Sequence, residues 1–297
     1  MNSITVLSPA TLRTERRALA ALIAGAVGIG FAPIFVRLSD LGPSATGFHR
    51  LLLALPAMLL WLAVERRHRP GPRPTRADSW RLIGAGLFFA GDLAIWHWSI
   101  GLTSVANATL LANFAPLYVT IAAWTLFGQR PTGRFVVALG LALAGAVALM
   151  GDSLSFAAAH LWGDGLALIC AGFYAGYILM VSHLRSRLST ATIMAWSGAV
   201  SALALLPVAV LSGESLIPPN PETWAVLFGL ALVSHVGGQG LIAAGLAHLP
   251  PAFGSMVLLV QPAVAALLAW AWLGEPLSWG QAAGALAIIA GIRLARR

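Results

Sequence analysis

The second half of the chain repeats the first at a constant offset of 146 residues. Matched positions are Pro116 with Pro262, Trp124 with Trp270, Gly128 with Gly274 and Gly145 with Gly291. Alanine and leucine matches arise by chance in so apolar a chain, but drift-free matches of proline, tryptophan and glycine do not. The repeat constrains the fold more than any single motif, because each copy must form one structural unit.

Composition places these two units in a membrane. The chain is 59% hydrophobic and 9% charged, with a mean hydropathy of +0.84, whereas soluble domains carry about 25% charged residues. The net charge of +8 comes from arginines spread between apolar stretches, and this spacing argues against a nucleic-acid-binding face. Cys170 is the single cysteine, so no intrachain disulfide can form.

Ten stretches are apolar enough to cross a bilayer, which takes about 20 residues. They cover 18–38, 44–64, 81–101, 105–125, 132–150, 162–183, 191–211, 223–246, 252–272 and 278–296. The sequence predicts an all-α membrane protein with a cytoplasmic tail at 1–17, a first repeat at 18–150, a periplasmic linker at 151–161 and a second repeat at 162–297. The first stretch is long enough to span, so we interpret it as a retained helix and not a signal peptide.

Arginine placement predicts the orientation of these spans. With the N-terminus in the cytoplasm, most of the arginines lie in cytoplasmic connectors, and both termini are cytoplasmic. The opposite connectors contain Asp40, Asp152, Asp164, Glu214, Glu222 and Glu275. Five helices per repeat is an odd number, so the second repeat is inverted relative to the first. Inverted repeats build many secondary transporters; the alternative is a duplicated scaffold without transport.

Three segments resemble one family of membrane proteins. The stretch from Leu273 to Gln281, followed by Gly284 and Gly291, resembles the end of an EamA domain of the drug/metabolite transporter superfamily. The segment 163–168 is similar to the start of the second EamA repeat, and 48–51 is similar to the arginine-bearing start of helix 2. Gln129 stands where the second copy has Glu275, so any role of that glutamate is not shared.

The resemblance implies ten helices in two repeats and a cavity between them for small metabolites. Within the family the chain is similar to YddG-type bacterial exporters of aromatic and other amino acids, which also accept methyl viologen. It implies a multi-pass protein of the cell (inner) membrane. Amino acids are the expected substrates, and cationic drugs are expected to be accepted as well. The alternative substrate class is nucleotide-sugars or sugar phosphates. No cofactor, metal or nucleic-acid partner is expected.

Polar residues at membrane depth are the first candidates for a substrate or proton site. Asp92 lies near the middle of helix 3, and His235 lies equally deep in helix 8 with Gln239 one helical turn on. A carboxyl group at this depth could carry a proton, which makes proton coupling a hypothesis. The alternative is a buried hydrogen-bonded pair that only fixes packing.

Arg50 lies about six residues into helix 2 from the outer side. Its guanidinium could bind a substrate carboxylate through two hydrogen bonds. Alternatively, its long side chain could reach the outer interface and bind no substrate.

Aromatic residues form a second group of candidates. Tyr174 and Tyr177 lie near the middle of helix 6, where they would wall the cavity or simply pack. Trp98, near the outer end of helix 3, would contact substrate or anchor the helix at the interface.

Prolines mark candidate hinges. Pro116 and Pro262 occupy equivalent places in helices 4 and 9, and Pro33 lies in the glycine-rich helix 1. Each proline removes a backbone hydrogen bond and favours a kink. Asn113 and Gln261 lie close to two of these prolines and could bind the freed carbonyls or the substrate. A static bend is as consistent with the sequence as a hinge.

Other functional classes lack their signatures in the sequence. We find no metal-ligand cluster, phosphate loop or serine nucleophile with a placed partner, so an embedded enzyme is not expected. Polar residues at membrane depth are too few for the rings of a channel. A membrane assembly factor is the remaining alternative.

Overall fold

The computed structural model describes residues 9–69, 71–103, 105–151, 154 and 158–296, and these form helices and no strands. The helices are α1 Pro9–Gly30, α2 Ala32–Leu38, α3 Pro43–His68, α4 Arg76–Leu102, α5 Val105–Ala112, α6 Ala115–Phe127, α7 Gly133–Met150, α8 Leu161–Leu184, α9 Thr190–Leu211, α10 Pro221–Gly229, α11 Gly240–Gly245, α12 Pro251–Val257, α13 Val260–Leu273 and α14 Trp279–Arg296. A π-helix, Leu230–Gln239, joins α10 to α11. Parts of the predicted tail and linker fall outside the described residues.

Nine helical segments of the described chain are long and apolar enough to cross a membrane. They cover Leu12–Leu38, Pro43–His68, Arg76–Leu102, Asn107–Phe127, Gly133–Met150, Ala158–Leu184, Thr190–Leu211, Pro221–Gly245 and Pro251–Leu273. The tenth predicted span coincides with α14, which is less apolar because it contains Gln281, Arg293 and Arg296. The prediction of a multi-pass helical membrane protein is confirmed; the tenth span stays a prediction.

Three spans are interrupted just before a proline. The helix breaks between Gly30 and Ala32, between Ala112 and Ala115, and between Val257 and Val260. Pro33, Pro116 and Pro262 each follow one of these breaks, where the missing proline N–H costs least. The Asn113 side chain donates to the Thr109 carbonyl at 2.8 Å, so it supports the turn that precedes its break.

Close approaches between glycines hold the two halves together. At Gly145, a Cβ would lie 2.6 Å from the Gly284 carbonyl, so only glycine lets α7 and α14 approach this closely. The same holds at Gly291, where a Cβ would lie 2.7 Å from the Ala138 carbonyl. Such small-residue contacts bring helix backbones together in membranes. The pair α3 and α9 also packs together, with Gly198 facing Met58.

The two ends of the bundle differ in charge. One end, the acidic face, contains Asp40, Asp164, Glu214, Glu222 and Glu275; the other, the arginine-rich face, contains Arg69, Arg76, Arg130, Arg187 and Arg296. At the acidic face the Thr223 hydroxyl donates to Asp40 at 2.6 Å. Hydrogen bonds from Thr223 and Asn220 hold the pKa of Asp40 below its usual range.

Glycines at equivalent places end α6 and α13. Gly128 and Gly274 have φ of +66° and +68°, the left-handed conformation that L side chains avoid. This conformation closes the helix C-terminus and turns the chain into the following connector. The matched glycines of the repeat therefore have a local physical cause.

Gly274→Ala should lower the thermal unfolding midpoint in detergent, because alanine at positive φ costs about 1 kcal/mol. The control is Gly140→Ala, which lies inside α7 with open space around its Cβ and should leave the midpoint unchanged or raise it. Equal shifts in the unfolding midpoint of both variants would contradict the conclusion that position 274 requires glycine because of its positive φ.

Candidate functional site

A cavity of about 560 Å³ lies among helices of both halves. Its polar lining residues are Arg37, Arg50, Asp92, Trp96, Thr109, Asn113, Cys170, Tyr174, Gln239, Gln261, Glu275 and Gln281. Arg37 and Glu275 form an exposed ion pair at its mouth, joining the end of α2 to the loop after α13. The cavity therefore opens toward the acidic face.

Arg50 projects from α3 into this cavity. Only 8% of the residue is exposed, and its guanidinium carbon lies 5.8 Å from the centre of the Phe89 ring, a cation–π distance. Its Nε has no hydrogen-bond partner within the described part of the chain. The alternative in which Arg50 reaches the outer interface is wrong, because the side chain is held inside the bundle.

Asp92 reaches the same cavity from α4. Its carboxylate accepts a hydrogen bond from the Cys170 thiol at 3.0 Å. Among the described residues no ion pair joins Asp92 to Arg50, although the two charges interact across the cavity. An acid and a base thus border one cavity without neutralising each other directly.

Tyr174 and two glutamines form another polar wall. The Tyr174 hydroxyl lies beside the side chains of Gln239 and Gln261. Gln239 Oε1 and Gln261 Nε2 are buried and lack a hydrogen-bond partner within the described chain. A buried amide group without a partner costs about 1–3 kcal/mol, so these atoms are available to a ligand.

His235 and Tyr177 lie behind the cavity wall. The Phe89 ring separates them from the cavity, with centroid distances of 5.4 Å to His235 and 4.8 Å to Tyr177. Both His235 ring nitrogens are buried and without a partner among the described residues, so the predicted hydrogen-bonded pair with Asp92 is wrong. The Tyr177 hydroxyl instead faces Met194 Sδ at 3.9 Å.

His235 and Gln239 have different surroundings although they lie close in sequence. The sequence predicts that residues four apart share a face, as in an α-helix. The segment Leu230–Gln239 is instead a π-helix, with hydrogen bonds from i to i+5. Gln239 lines the cavity, whereas His235 packs behind the Phe89 ring.

Trp98 lies outside the site. It is 60% exposed and does not line the cavity, so its placement favours the interfacial anchor. The cavity face of α4 instead carries Phe89, Asp92 and Trp96. The helical spacing i−3 and i+4 from Asp92 would have found both aromatic residues.

The hinge candidates differ in their relation to the cavity. Pro33 and Pro262 line it, and so do Asn113 and Gln261, while Pro116 is buried in the first turn of α6 and is not part of the lining. Sequence reasoning missed Cys170, whose contact with Asp92 depends on the packing of α4 against α8.

The model of one family matches the chain twice. The EamA-like transporter family matches residues 16–151 and 161–297. The chain belongs to this family. EamA proteins are transporters, so the predictions of an EamA transporter of small metabolites, and of no enzyme, are confirmed.

Relatives within the EamA family extend over nearly the whole chain. An uncharacterised transporter of Archaeoglobus fulgidus is 25% identical over 89% of this chain and 91% of its own length. A probable terminal-alkyne amino-acid exporter of Streptantibioticus cattleyicolor is 28% identical over 90% and 88%. A solved crystal structure aligns with a TM-score of 0.76 at 19% identity, covering 96% of this chain and 98% of that one. That last likeness concerns the fold alone.

Tyr174→Phe should weaken substrate binding, because it removes a hydroxyl that hydrogen-bonds the side chains of Gln239 and Gln261. The two amide groups would then be held less firmly at the cavity wall. We expect a roughly fivefold to tenfold rise in half-saturating substrate concentration, measured by uptake into proteoliposomes. Tyr177→Phe is the matched control and should change this value less than twofold. Equal effects of the two variants would place the site elsewhere.

Proposed function

We propose that this chain exports amino acids, aromatic ones among them, across the cell inner membrane by alternating access. The observation that carries the proposal is that Arg50 and Asp92, which form no ion pair with each other, line the same cavity. A zwitterionic amino acid presents a carboxylate for the guanidinium and an ammonium for the carboxylate. The name of the S. cattleyicolor relative, a probable exporter of an amino acid, supports the same substrate class.

The aromatic walls favour substrates with rings or delocalised positive charge. Phe89, Trp96 and Tyr174 border the cavity around Asp92. Aromatic faces attract cations and stack on flat rings. Cationic drugs such as methyl viologen would bind to these walls and to Asp92 without needing Arg50.

Sugar phosphates and nucleotide-sugars fit this cavity less well. A phosphate carries more negative charge than a carboxylate and is usually held by several cations. Here Asp92 opposes it, and Arg37 at the mouth already pairs with Glu275. Arg50 alone would have to hold the phosphate.

Alternating access requires two halves that can exchange roles. Reciprocal contacts support an inverted ten-helix repeat: Gly145 meets Gly284 and Ile288, and at the 146-residue offset Gly291 meets Ala138 and Ala142. Such a relation between halves makes the two end states near mirror images. The equivalent breaks before Pro116 and Pro262, with the break before Pro33, are the proposed hinges.

Charge placement supports the orientation. Arginines gather at one end of the bundle, and cytoplasmic connectors of membrane proteins carry such an excess. The arginine-rich face is accordingly assigned to the cytoplasm, together with both termini. The cavity then opens to the outside, the releasing state of an exporter.

Substitutions of Arg50 and Asp92 should affect the affinities for amino acids and for cationic drugs differently. Arg50→Gln should raise the half-saturating concentration of L-phenylalanine about tenfold or more, since a charge-assisted hydrogen bond contributes about 1.5–3 kcal/mol. Methyl viologen, which lacks a carboxylate, should bind this variant within twofold of the parent protein. Asp92→Asn should weaken both substrates.

Competition in liposome counterflow measures these affinities. L-Phenylalaninol, which keeps the ring and the amine but lacks the carboxylate, is the matched ligand and should be insensitive to Arg50→Gln. The carboxylate assignment is wrong when phenylalanine and phenylalaninol lose affinity equally.

Asp92→Asn also tests proton coupling. A carboxyl group can exchange a proton during the cycle whereas an amide cannot, so the variant should lose the pH dependence of transport. Flux is measured in proteoliposomes between pH 5.5 and 8.5 with and without a pH gradient, alongside Cys170→Ser, which keeps a hydrogen-bond donor to Asp92. Full pH-dependent transport by Asp92→Asn would exclude this carboxyl as the proton carrier.

A further inference from the structure

A second cavity of about 400 Å³ opens at the arginine-rich face. It lies between α6, α12 and the ends of α7 and α14, with Arg130, Arg296 and His248 in its lining. Glu15 is the acidic residue in the same lining, and Phe135 and Phe253 form its apolar part. We name this cavity the vestibule.

The vestibule is built from the repeat equivalents of the outer part of the central cavity. Several lining residues of one cavity correspond to lining residues of the other at the 146-residue offset. The correspondences include Ala123 with Ala269, Gln129 with Glu275, and Phe135 with Gln281. Repeat-equivalent helices therefore line an opening at each end of the bundle.

Two helices that line the vestibule pack together, whereas their repeat equivalents do not. On the arginine-rich side α6 packs against α12. The equivalent helices on the acidic side, α13 and α5, stand apart as two walls of the central cavity, which Thr109 and Ala266 line. Parting of α6 from α12 would extend the vestibule into the central cavity.

The side chains of the vestibule differ in charge from those at the equivalent positions in the outer part of the central cavity. Arg296 replaces Met150, and Arg130 replaces Pro276. Within the described part of the chain, no carboxylate lies close enough to form an ion pair with either guanidinium. Both arginines are exposed and line the same cavity as Phe135 and Phe253, and guanidinium groups of this kind bind organic carboxylates.

We infer that the vestibule is a carboxylate-binding site that captures the transported amino acid at the arginine-rich face while the central cavity is open to the other side. This inference rests on the proposed function. It predicts a sided effect: the vestibule arginines determine affinity on their own side of the membrane and leave the opposite side unchanged.

Sided kinetics test the inference. Arg130→Gln with Arg296→Gln should raise the half-saturating concentration of L-phenylalanine about tenfold when substrate is added at the arginine-rich face, and less than twofold at the acidic face. Arg134→Gln is the matched control, because Arg134 is exposed at the same face but outside the vestibule lining. Vesicle orientation is scored by labelling Gly71→Cys with a membrane-impermeant maleimide, and the parent protein, whose Cys170 is buried, gives the background labelling.

Protection from labelling gives a readout that needs no transport. L-Phenylalanine should protect Gln129→Cys, an exposed position of the vestibule lining, from maleimide added at the arginine-rich face, and L-phenylalaninol should not. Glu275→Cys, the repeat equivalent at the mouth of the central cavity, should be labelled from the acidic face instead.

The outcomes separate the two proposals. Equal effects of the vestibule arginines and Arg134→Gln, or protection of Gln129→Cys by phenylalaninol as well as phenylalanine, would overturn the vestibule inference even with normal transport. Protection by phenylalanine without any amino-acid flux in the parent protein would overturn the proposed function and leave the vestibule as a carboxylate site.

Discussion

Hydrocarbon tolerates no unpaired backbone groups, and this constraint organises the whole structure. A chain in lipid must satisfy its peptide groups within each helix, except where a protein-lined cavity surrounds the interruption. The breaks at Gly30 and Ala112 lie in the lining of the central cavity, as does the end of the π-helix at Gln239, and the break after Val257 is followed by the lining residues Gln261 and Pro262. The cavity and the irregular backbone therefore occur together, since only there can a helix loosen without exposing peptide groups to lipid.

The repeat supplies the framework, and departures from it supply the chemistry. Matched residues such as Pro116 and Pro262 bend helices, and Gly128 and Gly274 end them. The polar residues that line the cavity are unmatched. Arg50 has Trp196 as its equivalent, Asp92 has Gly238, Tyr174 has Gly28 and Gln261 has Ala115. Gly28 and Gly238 pack directly against each other, whereas Tyr174 and Asp92 border open space. A substrate without two-fold symmetry is recognised by such differences.

The sequence predicted the depth of polar side chains in the membrane better than the direction in which they point. Hydropathy and spacing predicted the helices, and the cost of polar groups in lipid singled out Arg50, Asp92, Tyr174, Gln239 and Gln261, all of which line the cavity. Which way a side chain points depends on packing between helices, and there the sequence left alternatives open. Tyr177 and His235 pack behind Phe89, and Trp98 is exposed outside the cavity lining. The π-helix that carries His235 and Gln239 has no simple sequence signature.

Buried polar groups without hydrogen-bond partners make the ligand-free cavity unfavourable. Arg50 Nε, Gln239 Oε1 and Gln261 Nε2 lack partners among the described residues, and each such group costs free energy until it is satisfied. A zwitterionic substrate would relieve several of them at once, so its binding stabilises one arrangement of the helices more than the empty cavity does. A ligand shifts a conformational equilibrium only by such differential affinity. Under the proposed mechanism, the unsatisfied groups connect substrate recognition to the movement of the two halves.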